Sequence, residues 1–581
     1  MHSPFLWKIM HFTILESAII LKNITFGGPV MAKTIKITYM RDGKEVTTET
    51  EKGTGVFSFM PAPSLNGSQL VAAKINNELS SLDTELEYDC KVEPVYNNTR
   101  EGMAVYRRSL CLLLAACAHK LNPKTRILVG NSICYGYYYT FDGPAIDAEK
   151  LKKEMQNLVN KDIKIKSEYV SWENAVDLFE KLNLVETRKQ LFHTCKSRVH
   201  INTIEDFSDL YFGPLVLSTG ALRVFDLIKY QDGLLLRFPK TKAPSLLPKF
   251  KDESKLFSIF KQYKEWGKKV NVTTAASLND MIASRKINDF IDIAETHQEK
   301  CIADIASQIV KSKKVRVVLI AGPSSSGKTT SAKKLGLELQ AMGYQPKVIS
   351  LDCYYAGRDK TPLDENGQPD FECLEALNID LLNQNLVDLF AGKEVNIPSY
   401  DFHTGTSYFD EKNKMTLKEN EILIMEGIHG LNPKLTPKIP NDLKFKIYLS
   451  ALTQLNLDDH NRVSTSDNRL IRRIVRDNNF RGKPAEGTIE MWPSVQKGEE
   501  LHIFPFHDNA DAILNTALDY ELSVLRVYAA PLLRRVMPTM PQYSEAQRLL
   551  NFLENFATIA PTAVPPRSII REFIGGSAFK Y

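Results

Sequence analysis

Val315-Arg-Val-Val-Leu-Ile-Ala321-Gly322-Pro323-Ser324-Ser325-Ser326-Gly327-Lys328-Thr329-Thr330 is the stretch on which the fold turns. Its first seven residues, apolar but for Arg316, make a run of strand length, which ends in G-x-x-x-x-G-K-T and passes directly into a helical pattern. Glycines let the backbone curl so that successive N–H groups point at phosphate oxygens, and the following helix adds its positive N-terminal end. Lys328 then reaches the β- and γ-phosphates, and the Thr329 hydroxyl is available to Mg2+. The competing reading is a glycine-rich βα turn with no ligand. Outward from this motif, residues 347–352, 421–426 and 444–450 read as further strands separated by helices. Such alternation with uninterrupted apolar strands implies a parallel sheet covered on both faces. Residues 313–520 are therefore expected to form a doubly wound α/β nucleotide-binding domain.

Two carboxylates end later strands of this pattern, Asp352 after Val348-Ile-Ser-Leu and Glu426 after Ile422-Leu-Ile-Met. In a parallel sheet both emerge at the carboxyl edge, where ligands of open α/β sheets bind. Glu426 is placed to hold Mg2+ directly or through water. Asp352 is placed to touch the metal and to take a proton from an attacking hydroxyl. The plainer reading of each is a helix cap. Arg469, Arg472, Arg473 and Arg476 follow at i, i+3, i+4 and i+7 and share one helical face, opposite Leu470, Ile471, Ile474 and Val475. Arg481 comes next in the chain. Only Asp467 and Asp477 lie nearby, so the five arginines read as under-paired. That suits a lid closing over ATP and stabilising charge on the moving phosphoryl group better than a solvated face.

Over residues 313–515 these pieces resemble the uridine kinase branch of the phosphoribulokinase/uridine kinase family of P-loop kinases. The resemblance is carried by 322–330, Val348-Ile-Ser-Leu-Asp352-Cys-Tyr-Tyr355, Pro369-Asp-Phe-Glu372, Ile397-Pro-Ser-Tyr400-Asp-Phe402, Glu426-Gly-Ile428, the arginine helix and Phe504-Pro-Phe-His-Asp-Asn-Ala510-Asp511. It implies ATP- and Mg2+-dependent phosphorylation of a nucleoside 5′-hydroxyl, uridine or cytidine first. Carried over by position, Gly322, Pro323, Ser324, Ser325, Ser326, Gly327, Lys328, Thr329 and Thr330 would cradle ATP, and Asp352 would be the base. Thr329, Asp352 and Glu426 would neighbour the metal, and Arg469, Arg473 and Arg481 would belong to the lid. Asp352, Tyr355, Glu372, Tyr400 and His403 would face the nucleoside. Two departures bear on the substrate. Glu372 stands where the family has an Asp holding the ribose hydroxyls, and Gly405 stands where it has a base-contacting His five residues after the tyrosine. His403 is the nearby substitute, and Tyr400 is kept to stack a base. Loss of a polar contact built into a pocket can change discrimination by orders of magnitude.

At 581 residues the chain has room for about four domains. With 43% hydrophobic and 25% charged residues it has the balance of a globular protein. The net charge of +5 sits in residues 240–269, where nine lysines face three acids. A general nucleic-acid coat is excluded, and that basic linker reads as a hydrated segment before it reads as an RNA contact. Eight cysteines with no CxxC pair read as reduced thiols of a cytoplasmic protein. No apolar run approaches the ~18 residues of a membrane helix. Residues 1–30 read as a disordered or non-native extension upstream of a start at Met31 rather than a signal peptide.

Residues 31–95 contain two alternating segments, 34–39 and 45–50, joined through Arg41-Asp42-Gly43 as a hairpin, then an expected helix over 67–79. Residues 96–240 read as an α+β domain with helices over 104–119 and 145–159. Residues 241–312 read as the basic linker followed by helices, and 521–581 as a helical tail. The first module resembles the ubiquitin-like (β-grasp) TGS domain. The second resembles the second additional domain of threonyl-tRNA synthetases, through Arg126-Ile-Leu-Val-Gly-Asn-Ser-Ile-Cys-Tyr-Gly-Tyr-Tyr-Tyr139 and Asp209-Leu-Tyr-Phe-Gly-Pro-Leu-Val216. In that family the domain edits mischarged tRNA through His and Cys side chains, and those positions here hold Leu112, Ala116, Tyr211 and Leu215. No zinc site can be built from these, and His193, Cys195 and His200 form only a loose cluster. RNA or protein contact through this half, and self-association, are the expected partners. The alternatives to a kinase are a nucleotide-switched RNA- or tRNA-sensing protein and an editing hydrolase. An acceptor pocket of Asp352, Glu372 and Tyr400 distinguishes the kinase from the switch.

Overall fold

In the computed structural model, which describes residues 34–65, 67–365, 367–401 and 404–580, the chain divides into two compact units. The expectations for residues 1–30 and for His403 lie outside the described residues. One unit comprises the described part of Met1–Pro61 with Asp83–Glu93. Its strands Thr34–Arg41 and Lys44–Glu51 pair antiparallel from Thr34↔Glu51 to Arg41↔Lys44, and Ile37 to Tyr39 also pair in parallel with Cys90 to Val92. Asp42 and Gly43 both take positive φ, 51° and 76°, the conformation a two-residue hairpin turn demands. Ile35 and Ile37 are buried, and Tyr39 packs edge-on against Phe59.

The second unit contains Ala62–Leu82 and Pro94–Tyr581. The helix expected over 67–79 is instead a hairpin of strands Ser68–Ile75 and Glu78–Ser80. Asn76 and Asn77 turn it with φ of 49° and 62°. Asparagine tolerates the left-handed region, so this pair is turn chemistry that outweighs the apolar spacing. Helix Arg100–Leu121 starts where Thr99 Oγ1 accepts from Gly102 N at 3.1 Å. It is buried along most of its length against a four-stranded antiparallel sheet ordered Asp226–Tyr230, Gly233–Arg237, Gly136–Asp142, Arg126–Ile133. The basic stretch is also not a plain linker. Ser254–Lys269 is a helix that buries Phe257 and Phe260 against Tyr138, Leu235 and Leu452.

The C-terminal half holds a five-stranded parallel sheet ordered Gln345–Ser350, Glu421–Glu426, Val317–Ala321, Lys444–Ser450, Ala512–Asn515. Its central strands read as unbroken apolar runs because both faces are covered. Val317, Leu319, Leu423 and Met425 pack toward helix Ile379–Phe390. Val318, Ile320, Ile422 and Ile424 pack toward helices Ile287–Lys311 and Lys328–Ala341. The pairs Ser350↔Glu426 and Ile320↔Glu426 bring three strand ends level at the carboxyl edge. Among the described residues, no helix is long and apolar enough to cross a membrane, and the eight cysteines are unpaired.

Candidate active site

The strand Val317–Ala321 ends in the loop 322–327. A Cβ on Gly322 would stand 2.3 Å from the Leu449 carbonyl oxygen, so only glycine fits there. Gly327, at φ +78°, starts helix Lys328–Ala341. Lys328 Nζ lies over the loop, 3.4 Å from the Pro323 carbonyl. The loop is braced from outside: Arg473 donates to Ser324 Oγ at 2.7 Å, Arg472 to the Ser325 carbonyl at 3.2 Å, and Thr516 Oγ1 to the Ser326 carbonyl at 2.6 Å. The hydroxyls of Ser325 and Ser326 are buried and unpartnered among the described residues. A polar cradle held open in this way suits an anion that brings its own acceptors.

Asp352 lies on a single 3-10 turn, Leu351–Tyr354, just past its strand rather than at the strand's end. Ser350 caps that turn, its Oγ accepting from Asp352 N at 3.3 Å, so the Asp352 carboxylate is not used as the cap. Burial raises the Asp352 pKa, opposed by Lys328, Arg481 and Arg476. Glu426 accepts from Thr329 Oγ1 at 3.1 Å. Burial pushes its pKa up to about 7 against the pull of Lys328, with Asp352 and Glu572 adding to the rise. A buried Glu426 whose pKa is raised by neighbouring Asp352, with the Thr329 hydroxyl on its carboxylate, makes an oxygen-rich site that fits a hard divalent cation. Thr329, Asp352 and Glu426 are the residues that would hold it.

The under-pairing expected of the five arginines holds for only three of them in helix Thr465–Arg481, because Arg469 and Arg472 have buried carboxylate partners. Arg469 makes a two-pronged ion pair with Glu499, including Nη2 to Oε2 at 2.7 Å, and Arg472 pairs with Glu521 through Nε at 2.9 Å. Both arginines are buried, and both partners come from later helices. Arg473, Arg476 and Arg481 instead share Asp477, at 3.2, 2.8 and 3.6 Å. One carboxylate for three guanidinium groups leaves the positive excess on that end of the helix.

The acceptor residues also come together. Tyr355 and Tyr400 have ring centroids 5.2 Å apart, and Tyr355 donates to the Phe371 carbonyl at 3.1 Å. Glu372 lies against Gly498 of helix Ala485–His502. Burial pushes its pKa up to about 7, with Arg473 and Lys328 lowering it and Glu499 and Asp352 raising it. Gly405 is the turn residue, φ +73°, between strands Val395–Asp401 and Thr406–Met415. A Cβ there would lie 2.9 Å from Arg358 Nε. A histidine at this position is disfavoured by the backbone conformation, and Arg358 already occupies the space beside it.

Sequence reading missed Arg358, Glu499, Glu521 and Glu572. Glu499 Oε1 accepts from Ser324 N at 3.1 Å, and Glu572 Oε2 accepts from Thr330 N at 3.3 Å and Thr330 Oγ1 at 2.5 Å. One loop amide and one amide in the first turn of the following helix thus already face carboxylates of this chain. No local motif marks these acids, which reach the loop only through tertiary packing. In the front half, Leu112, Ala116, Tyr211 and Leu215 are all buried in one apolar core. His193 meets Asp280 at 3.0 Å, Cys195 is exposed, and His200 packs on Tyr169. Among the described residues, no group of three His, Cys, Asp or Glu could hold a metal ion.

A parallel sheet, a phosphate loop at its carboxyl edge and an acid beside the loop lysine define a P-loop phosphotransferase. The phosphoribulokinase/uridine kinase family model matches residues 317–523. A uridine kinase of Macrococcus caseolyticus is 31% identical over 202 residues, covering 35% of this chain and 88% of that enzyme. The chain belongs to this family of kinases, which transfer a phosphoryl group to an alcohol. A threonine–tRNA ligase of Francisella philomiragia is 32% identical over 190 residues of the N-terminal part, 30% of this chain and 29% of the ligase. The chain thus spans less than a third of the ligase's length. A solved structure described as a possible uridine kinase from Bacillus stearothermophilus has 20% identity, covers 35% of this chain and 89% of that one, and gives a TM-score of 0.23.

Proposed function

We propose that the protein transfers the γ-phosphoryl group of ATP to the 5′-hydroxyl of a ribonucleoside, uridine or cytidine first among them. The carrying observation is the acceptor wall of Asp352, Tyr355, Glu372 and Tyr400, in which the Tyr355 and Tyr400 rings lie 5.2 Å apart and Tyr355 is anchored to the Phe371 carbonyl next to Glu372. A domain that only switched between nucleotide states would need the cradle without the wall. The loop amides and Lys328 bind the polyphosphate. Asp352 accepts the hydroxyl proton as the oxygen attacks, and burial raises its basicity above that of an ordinary aspartate. Mg2+ held by Thr329, Asp352 and Glu426 would neutralise phosphate charge. The arginines around Asp477 oppose charge on the moving phosphoryl group. Glu372 holds the ribose hydroxyls and Tyr400 stacks the base.

Arg358 fills the space next to Gly405 and lowers the Tyr400 pKa that burial raises. A flexible guanidinium can donate to carbonyls of either base class, so base tolerance is expected to be broad. The test is a panel of nucleosides with Mg-ATP and identification of the phosphorylated product. A purine–pyrimidine gap in kcat/KM above about 100-fold, ~2.7 kcal/mol, overturns the tolerance. ATP binding with no nucleoside phosphorylated overturns the kinase reading in favour of the switch.

A further inference from the structure

A cavity of about 380 Å³ lies away from the phosphate loop, where helix Arg100–Leu121 meets residues 460–467 and helix Tyr543–Leu553. Most of its charged lining is internally balanced. Arg548 holds Asp467 and Glu545 through four bonds of 2.7–2.8 Å, Arg100 reaches Glu545 at 3.1 Å, and Glu101 reaches Lys74 at 2.7 Å. Three further arginines in the wall, Arg107, Arg108 and Arg462, have no carboxylate within ion-pair distance among the described residues. Arg107 and Arg462 are held flat over rings, 4.4 Å from the Phe238 centroid and 5.1 Å from that of Tyr137. Each has a buried Nε without a partner. Arg108 is oriented by donating to the Pro214 carbonyl at 2.7 Å, and burial together with Arg548 lowers its pKa to about 10. The hydroxyl of Tyr211, a residue 5% exposed and part of the same wall, is also buried and unpartnered.

The three arginines are half-buried, but the buried Nε atoms of Arg107 and Arg462 and the buried Tyr211 hydroxyl are not left unmatched without cost. Planar guanidinium forks held by rings match a tetrahedral oxyanion. The volume lies in the range of small-molecule sites, and the aromatic rings of Tyr137, Tyr211 and Phe212 supply apolar surface beside the charge. We infer that this cavity binds a small phosphate monoester, of the size of a sugar phosphate or nucleoside monophosphate, with Arg107, Arg108 and Arg462 on the phosphate and Tyr211 donating to it. An RNA end is disfavoured because residues of the C-terminal half, Arg462, Gln496 and Asn551, close one side of the cavity. The wall also contains Ser464 and Asp467 at the start of the arginine helix. Six residues, or about 9 Å, further along that helix Arg473 touches the phosphate loop.

The experiment is titration calorimetry on the full chain with ribose 5-phosphate, uridine 5′-phosphate and inorganic phosphate at physiological salt, with a tRNA acceptor-stem fragment as a further arm. Expected is binding of at least one monoester with Kd below about 1 mM. Arg107→Ala, Arg462→Ala and Tyr211→Phe are each expected to weaken it tenfold or more, while Lys328→Ala leaves it unchanged. Should an alanine variant fail to fold, Tyr211→Phe keeps the shape of the wall and decides the matter. The inference is overturned if no monoester binds, if binding is lost with Lys328→Ala and kept in the cavity variants, or if only the RNA fragment binds. None of these outcomes depends on which nucleoside the kinase site accepts.

Discussion

Helices Lys328–Ala341 and Arg100–Leu121 stand at the two positions where the resemblances place chemistry, and they differ in what that chemistry rests on. At the first, binding capacity lies in the backbone: Gly322 and Gly327 allow a curl that no other residue fits, and the amides do the rest. At the second, chemistry would have to come from side chains. The editing positions of the synthetase domain it resembles hold Leu112 and Ala116, both buried in core. Side-chain chemistry can be exchanged for packing without disturbing a helix, whereas a phosphate cradle cannot be removed without changing the chain's path. One helix keeps its phosphate cradle, and the other has exchanged the side chains at the editing positions for core packing.

The largest test of this contrast lies at the cradle. Lys328→Ala and Asp352→Asn should each lower phosphoryl transfer by about 10²–10⁴-fold in a coupled ADP-release assay. Lys328→Ala acts mainly through ATP affinity and Asp352→Asn mainly through kcat. Leu112→Ala in the front helix should instead cost about 2–5 kcal/mol in denaturant unfolding of that domain and leave kcat within twofold. An equal loss of turnover in all three would erase the distinction.

Within the arginine helix the same contrast can be sharpened. Arg472→Ala leaves Glu521 buried without its cation and should destabilise by about 3–5 kcal/mol. Arg473→Ala should lower kcat about tenfold or more with little change in unfolding. Reversal of that pattern would assign the moving charge to the wrong arginine.

A smaller effect follows from the acids. Glu372 and Glu426 have pKa values pushed up to about 7, so in the free protein they are largely protonated below that pH. A cation favours the ionised carboxylate, so Mg-nucleotide binding should tighten up to about tenfold from pH 6 to pH 8. It should also release protons near pH 7, seen as a dependence of binding heat on the buffer's ionisation enthalpy. Binding that weakens over that range contradicts the assignment of Glu426. The smallest expected change is at the tail. Glu572→Gln removes a negative charge from the Thr330 amide and should lower KM for ATP about three- to tenfold. In the front half, elemental analysis should find no stoichiometric zinc, and mischarged threonine-accepting tRNA should not be deacylated above background.

The primary structure alone determined the phosphate loop, its strand and helix, four of the five parallel strands, and Glu426 at a strand end with Asp352 just past one. These depend on neighbours within a few residues: glycine conformational freedom, apolar periodicity and acids that follow strands. It also announced the Asp42-Gly43 hairpin, but not the one at Asn76-Asn77, where apolar spacing imitated a helix. Only the tertiary structure decided how the arginines divide. Glu499 and Glu521 lie 30 and 49 residues from their partners, and no local pattern connects an ion pair across such a distance. It likewise decided that Arg358 fills the space beside Gly405, that the tail brings Glu572 to the loop, and that a cavity forms between segments hundreds of residues apart. Local conformation is set by short-range sterics and hydrogen bonding. The pairing of charges is set by which surfaces are buried against each other, and that exists only once the chain has folded.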